Sequence, residues 1–135
     1  MHALNLHLFY LQTMLVTYEL VFLLKYEVIE MRQSHFELLS NGPIAWNNWR
    51  NEYPEVEPDL SSADLSEKNL SGYNLHSCNL QHATLANCDL QDVNLTNANL
   101  EGANLAGSYV YWTTLRNAKI CMLQLAKANV WKPIL

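Results

Sequence analysis

The chain has 135 residues, half of them hydrophobic, with 8 basic and 13 acidic side chains and a formal charge of −5. That length gives one small domain plus an extension, and a chain without a basic stripe lacks what a binder of phosphate backbones needs, so no direct nucleic-acid binding is expected. Three cysteines, an odd number, argue against a disulfide framework and for a reducing compartment, here the cytoplasm.

Residues 3–24 are strongly apolar, but Asn5, His7, Gln12, Thr13, Tyr18 and Glu19 interrupt them. The stretch is long enough to span a bilayer, yet it is polar near its centre and at Glu19, so membrane association is not the favoured reading. A cleaved signal peptide is disfavoured too, because no Lys or Arg precedes the apolar run and no small-residue cleavage pattern succeeds it. The leading expectation is a helix buried against the rest of the chain or against a second copy of itself. The alternative is that Met31 is the true start and residues 1–30 are an upstream or loosely ordered extension.

Residues 31–57 read as a helical cap. Phe36, Leu38 and Leu39 form an apolar cluster, and Asn41-Gly42-Pro43 then breaks the chain, with Asn41 near the start of a new helix and Pro43 in its first turn. Trp46 and Trp49, three apart, share one face of that helix. Pro54 and Pro58 end it. The two tryptophans are expected to plug the open first turn of the segment that begins at residue 58, because the end of a stacked structure exposes core and unpaired strand edges.

From residue 58 to the end the pattern changes. A branched aliphatic residue stands at every fifth position: Leu60, Leu65, Leu70, Leu75, Leu80, Leu85, Leu90, Leu95, Leu100, Leu105, Val110, Leu115, Ile120, Leu125, Val130 and Leu135. A period of five matches neither the 3.6 of a helix nor the 2 of a flat strand, so each unit must turn the chain and return a side chain to a common axis. The position two before each centre is usually small, as at Ala63, Cys78, Ala83, Cys88, Ala98 and Ala103. Between the two lies Asp or Asn, whose short side chain bonds local backbone at turns.

The unit A-(D/N)-L-x-x, clearest in Ala98-Asn99-Leu100-Glu101-Gly102-Ala103-Asn104-Leu105, resembles the pentapeptide repeat family. Trp46 to Arg50 followed by Pro58-Asp59-Leu60 looks similar to the lead-in of many bacterial members, cyanobacterial ones among them. The resemblance implies an all-β solenoid: a right-handed quadrilateral parallel β-helix with four pentapeptides per coil. At about 4.8 Å per coil, sixteen units give roughly four coils, a rod about 20 Å long with an N-terminal α-helical extension and cap. Residues from Leu60 onward then stack at intervals of twenty and fill the core, each buried leucine contributing about 1.5–3 kcal/mol.

Some positions depart from the repeat. Lys68 and Tyr73 fall at inward small positions of the first coil, and Leu123, Pro133 and Ile134 make the last coil irregular. Cys78 and Cys88 should pack inward as small apolar groups, while Cys121 should face out as the more reactive thiol. His76 and His82 point outward at adjacent corners without a carboxylate or cysteine beside them, so no metal site is expected. No Gly-rich phosphate loop, HExxH, CxxC pair or nucleophile elbow is present, so neither an enzyme nor a cofactor is expected.

What remains is surface. Stacking by twenty sets Tyr111 beside Trp131, Trp112 beside Lys132 and Tyr109 beside Asn129, so Tyr109, Tyr111, Trp112 and Trp131 form a candidate interface. The expected function is a non-enzymatic scaffold or protein–protein interaction module, self-associating as a homodimer and engaging an unknown protein partner. A membrane-tethered interaction module is an alternative, resting on residues 1–30. The resemblance implies a further alternative, a DNA mimic that binds DNA gyrase, as the family's fluoroquinolone resistance proteins do. A mimic needs a long, strongly negative rod, whereas six acids and five bases from Asp59 onward leave these repeats at −1.

Overall fold

The computed structural model describes residues 2–135, with side chains described for 5–27, 31 and 34–135. Helix α1 runs His2–Ser40 and helix α2 Pro43–Glu52; strand β1 is Tyr109–Tyr111, the one-turn helix α3 is Met122–Leu125, and strand β2 is Asn129–Trp131. The chain divides into two compact units, Met1–Gln33 and Ser34–Leu135. α1 passes without a break through residue 30, and the boundary lies three residues further on. In the first unit every side chain from 5 to 27 is exposed.

The second unit is built on a parallel ladder with a constant offset of twenty. Asp59 bridges Asn79, Asp64 bridges Thr84, Asn69 bridges Asp89 and Asn74 bridges Asn94, and the same offsets continue to Asn99↔Lys119 and Thr114↔Ile134. Leu60 N–H donates to the Asn79 carbonyl at 2.8 Å, and Asn79 N–H donates to the Pro58 carbonyl at 2.8 Å. Twenty residues therefore return the chain alongside itself, with four rungs in that interval.

The five-residue unit explains the return. After each centre the chain bends: Ala63 N–H donates to Leu60 O at 3.1 Å, and the residue before Ala63, Ser62, has a φ of 57°. One positive φ at the third position of a four-residue turn is the type II pattern. It recurs at Glu67, Ser77, His82, Asn87 and Asn97. The Asx side chain holds each bend from the other side: Asp59 Oδ1 accepts Ser61 N–H at 2.9 Å, Asn69 Oδ1 accepts Ser71 N–H at 2.8 Å, and Asn94 Oδ1 accepts Thr96 N–H at 3.0 Å. Glycine at this bend position leaves room for a longer side chain in the adjacent coil. Gly107 has a φ of 71°, and a Cβ there would run into the side chain of Asn87.

Centres and small positions both point inward. Leu60, Leu65, Leu70, Leu75, Leu80, Leu85, Leu90, Leu95, Leu100, Leu105, Val110, Leu115 and Leu125 are buried, together with Cys78, Ala83, Cys88, Ala98, Ala103, Ser108 and Thr113. Burial pushes the Cys78 thiol up to about 12 and raises that of Cys88, so both behave as inert core groups. The Cys88 thiol also donates to Leu65 O at 2.8 Å.

The periphery corrects the sequence reading. Val130 is 38% exposed, while Ile120 is half-buried and packs against the edge of the core. Leu123, too large for the inward slot, is exposed on α3. Met122-Leu123-Gln124-Leu125 has no Asx residue to hold a bend and consists of good helix formers, so one helical turn replaces the rung there. Gln124 replaces a ladder bond, with Nε2 donating to Ala103 O at 2.8 Å, and adds a bond to Leu100 O at 2.7 Å. Lys68 does not point inward. It is exposed, with its ammonium 5.9 Å from the ring centre of Phe36.

Leu100→Asp should unfold the repeats, since an unpaired charge would sit in a fully buried column. Glu101→Ala, at an exposed position, should change stability by less than about 0.5 kcal/mol. Thermal melts followed by circular dichroism check both, and equal midpoints would refute the inward register.

Candidate functional site

Two places in the second unit concentrate chemistry. The first is the lower edge of the ladder, where rungs at 72–76 have no preceding rung to bond. α2 starts at Pro43 with Gly42 as its N-cap, which sets Trp46, Asn47, Trp49 and Arg50 along two consecutive turns. Trp46 is 0% exposed and its Nε1 donates to Asn74 O at 2.8 Å. Asn47 works in both directions, with Nδ2 donating to Gly72 O at 3.0 Å and Oδ1 accepting Asn74 N–H at 2.9 Å. The buried guanidinium of Arg50 donates to Val56 O and, at 2.9 Å, to His76 O. In the regular ladder, partners for these groups come from residues about twenty positions away, as when Ser77 N–H donates to Thr96 O. Side chains of α2 therefore stand in for a missing strand.

Aromatic contacts tie the rest together. The Trp46 and Trp49 ring centres lie 5.4 Å apart, and those of Trp49 and His35 5.5 Å. Trp49 itself is only partly buried. Tyr73 occupies an inward slot and its hydroxyl donates to Leu39 O at 3.1 Å, satisfying a carbonyl near the end of α1. The Asp59 N–H donates to His35 Nδ1 at 3.2 Å, which requires that nitrogen to be unprotonated. Sequence reasoning identified the tryptophans as cap residues but missed Asn47, Arg50 and His35, whose partners lie 24 to 27 residues away.

Trp46→Ala should cost about 3–5 kcal/mol, and Asn47→Leu about 1–3 kcal/mol through the carbonyl and amide it leaves unpaired. Urea titrations of both variants would test the order. His35 supplies a pH signature. Burial lowers its pKa from 6.5, Asp59 opposes this and Arg50 adds to it. The unfolded chain takes up the proton at about 6.5 and the folded chain only at lower pH, so the stabilisation is complete above that pH and declines as pH falls below it. Melting temperatures from pH 8 to 5 should fall on the acid side more steeply in the wild type than in His35→Phe.

The second place is the exposed aromatic face. β1 and β2 pair in parallel, with Tyr109 opposite Asn129, Val110 opposite Val130 and Tyr111 opposite Trp131. Tyr109 is 48%, Trp112 47% and Trp131 57% exposed, while Tyr111 is half-buried with its ring 5.8 Å from that of Tyr109 in an edge contact. Trp112 and Lys132 have φ of 51° and 46°. A bulky residue in that region is a steric outlier, at a position that elsewhere most often carries Gly, Ser, Asn or Asp. The backbone is held in strain at the point where it presents an indole to solvent.

Little else gathers. Among the described residues no three His, Cys, Asp or Glu side chains converge as a metal site would need. His76 Nε2 lies 3.3 Å from Asn97 Nδ2, and the His82 ring sits beside Gly102. Exposed Cys121 borders a shallow recess with Glu101, Lys119, Ile120 and Gln124, open to solvent and without a base placed to activate a nucleophile.

Comparison with known proteins agrees with the ladder. The family model for pentapeptide repeats matches in eight copies, over residues 59–92 and 84–120. Residues 59–120 are thus similar to pentapeptide repeat proteins, which fold as right-handed quadrilateral β-helices and are typically non-enzymatic structural or interaction modules. Among solved structures it is similar to HetL, a pentapeptide repeat protein involved in heterocyst differentiation regulation from the cyanobacterium Nostoc sp. strain PCC 7120. That match has 26% identity and a TM-score of 0.50, covering 60% of this chain and 38% of HetL. A second match is Rfr23, a pentapeptide repeat protein from the cyanobacterium Cyanothece 51142, with 30% identity, a TM-score of 0.47, and coverage of 57% of this chain and 53% of that one. The chain thus spans well under two thirds of either protein. Among curated proteins none matches it.

Proposed function

We propose that this protein is a non-enzymatic interaction module: a right-handed quadrilateral β-helix of about four coils, capped at its first coil by α2, that self-associates through the face of β1 and β2 and acts on the cytoplasmic side of its cell. The exposed cluster of Tyr109, Trp112 and Trp131 carries this reading. Aromatic side chains grouped on a rigid ladder supply contact area at low entropic cost, as interface hot spots do. Strain at Trp112 supports it as well, because a glycine at that φ would relieve the backbone and lose the indole. Two-fold pairing sets the same face against itself and is the commonest closed solution for such a patch. HetL, a pentapeptide repeat protein involved in heterocyst differentiation regulation, is in keeping with a regulatory use of such a module.

Trp112→Gly separates the two effects. Its melting temperature should equal or exceed that of the wild type, since an αL residue with a side chain costs about 1–2 kcal/mol, while self-association should weaken at least tenfold. Sedimentation equilibrium of the wild type, Trp112→Gly and Trp131→Ala measures it. A wild type that stays monomeric at tens of micromolar would move the face to a heterotypic partner.

A further inference from the structure

The first unit presents a different kind of surface. The segment Asn5–Glu27 is helical, has a mean hydropathy of 1.4, and buries none of its residues. Its apolar side chains do not form a stripe. Residues 8–11 and 20–24 are unbroken apolar runs, and successive residues on a helix point 100° apart, so each run faces every direction. A partner helix covers one stripe and leaves the remainder in water. Asn5, Gln12 and Glu19, spaced by seven, mark one polar line, and a surface apolar on every other side is covered by a phase, not by a partner.

Length and internal bonding fit the same phase. Twenty-three residues at about 1.5 Å each give a helix of about 35 Å, against a hydrocarbon thickness of about 30 Å. The threonine hydroxyls are satisfied within the helix: Thr13 donates to Phe9 O at 3.0 Å and Tyr10 O at 2.9 Å, and Thr17 donates to Thr13 O at 3.0 Å and Met14 O at 2.9 Å. Such back-bonding removes the need for water. Glu19 is the one charged residue in its middle turns, and the segment keeps its apolar mean despite it. The nearest basic residues, Lys25 and Arg32, lie on the C-terminal side, which the positive-inside bias sets toward the cytoplasm.

We infer that Asn5–Glu27 inserts across a lipid bilayer and holds the repeats at its cytoplasmic surface. This is independent of the self-association proposed above, which rests on β1 and β2. The test is synthesis of the full chain with vesicles of phosphatidylcholine and phosphatidylglycerol, an alkaline carbonate wash, and flotation. The wild type should remain with the vesicles, and Val16→Arg with Leu20→Arg should reduce the floated fraction at least tenfold while the melting of the repeats is unchanged. Cys121 is the exposed thiol, with Cys78 and Cys88 buried, so it serves as a reporter of side. In cells, a membrane-impermeant maleimide should label it only after lysis. Three results would overturn the inference: a wild type washed off the vesicles as a soluble oligomer, a double-arginine variant that floats as well as the wild type, or a cellular product cleaved after the segment. Labelling of Cys121 in intact cells would overturn the orientation.

Discussion

A stack of parallel rungs satisfies its backbone only where another rung lies beside it, and that constraint governs both ends of this fold. In the middle, the amides and carbonyls that face along the stack find partners about twenty residues away, while the Asx side chains and type II bends take up the rest and keep the offset constant. At the first rung the partner is absent. A buried unpaired carbonyl or amide costs about 1–3 kcal/mol, and several stand in one row there. α2 answers with three side chains of different chemistry: an indole N–H, a carboxamide that donates and accepts, and a guanidinium. Trp46 alone fills the hydrophobic gap, but a residue without Asn47's two-way bonding would leave a strand edge open to other chains.

The same constraint explains which features were legible in the sequence. Leu65 through Leu115 were legible because a period of five over a dozen units has one physical solution, and each centre stacks on another twenty residues away. Tyr111 beside Trp131 was legible for the same reason, since an offset of twenty is arithmetic once the coil is known. Val130 satisfied the same pattern and is exposed, because the pattern encodes direction, not burial. Lys68 failed for another reason. Its long stem lets the charged end leave the slot and reach the face of Phe36.

Asn47, Arg50 and His35 had no signal available. Their bonds go to backbone atoms, which every residue carries, so nothing in their partners' identities marks the contact. Gln124 is similar at the far end: in sequence it is a broken repeat, and in space its side chain makes the bond to Ala103 O that a regular rung would have made, with a second to Leu100 O. Irregular residues in a repeat are thus where the side chains take over the backbone's work.

The two apolar surfaces of this chain differ in symmetry, and symmetry decides what each can meet. The aromatic face is one-sided: Val110 beneath it belongs to the core, and Tyr109, Trp112 and Trp131 look outward from a ladder whose position is fixed by hydrogen bonds. Such a face discriminates, because a partner must match rings held at set positions. Residues 5–27 have no such frame. They point all ways from one helix, offer no groove and fix no register, so they can select a medium but not a partner. The proposed recognition therefore rests on the repeats, and the proposed placement on α1.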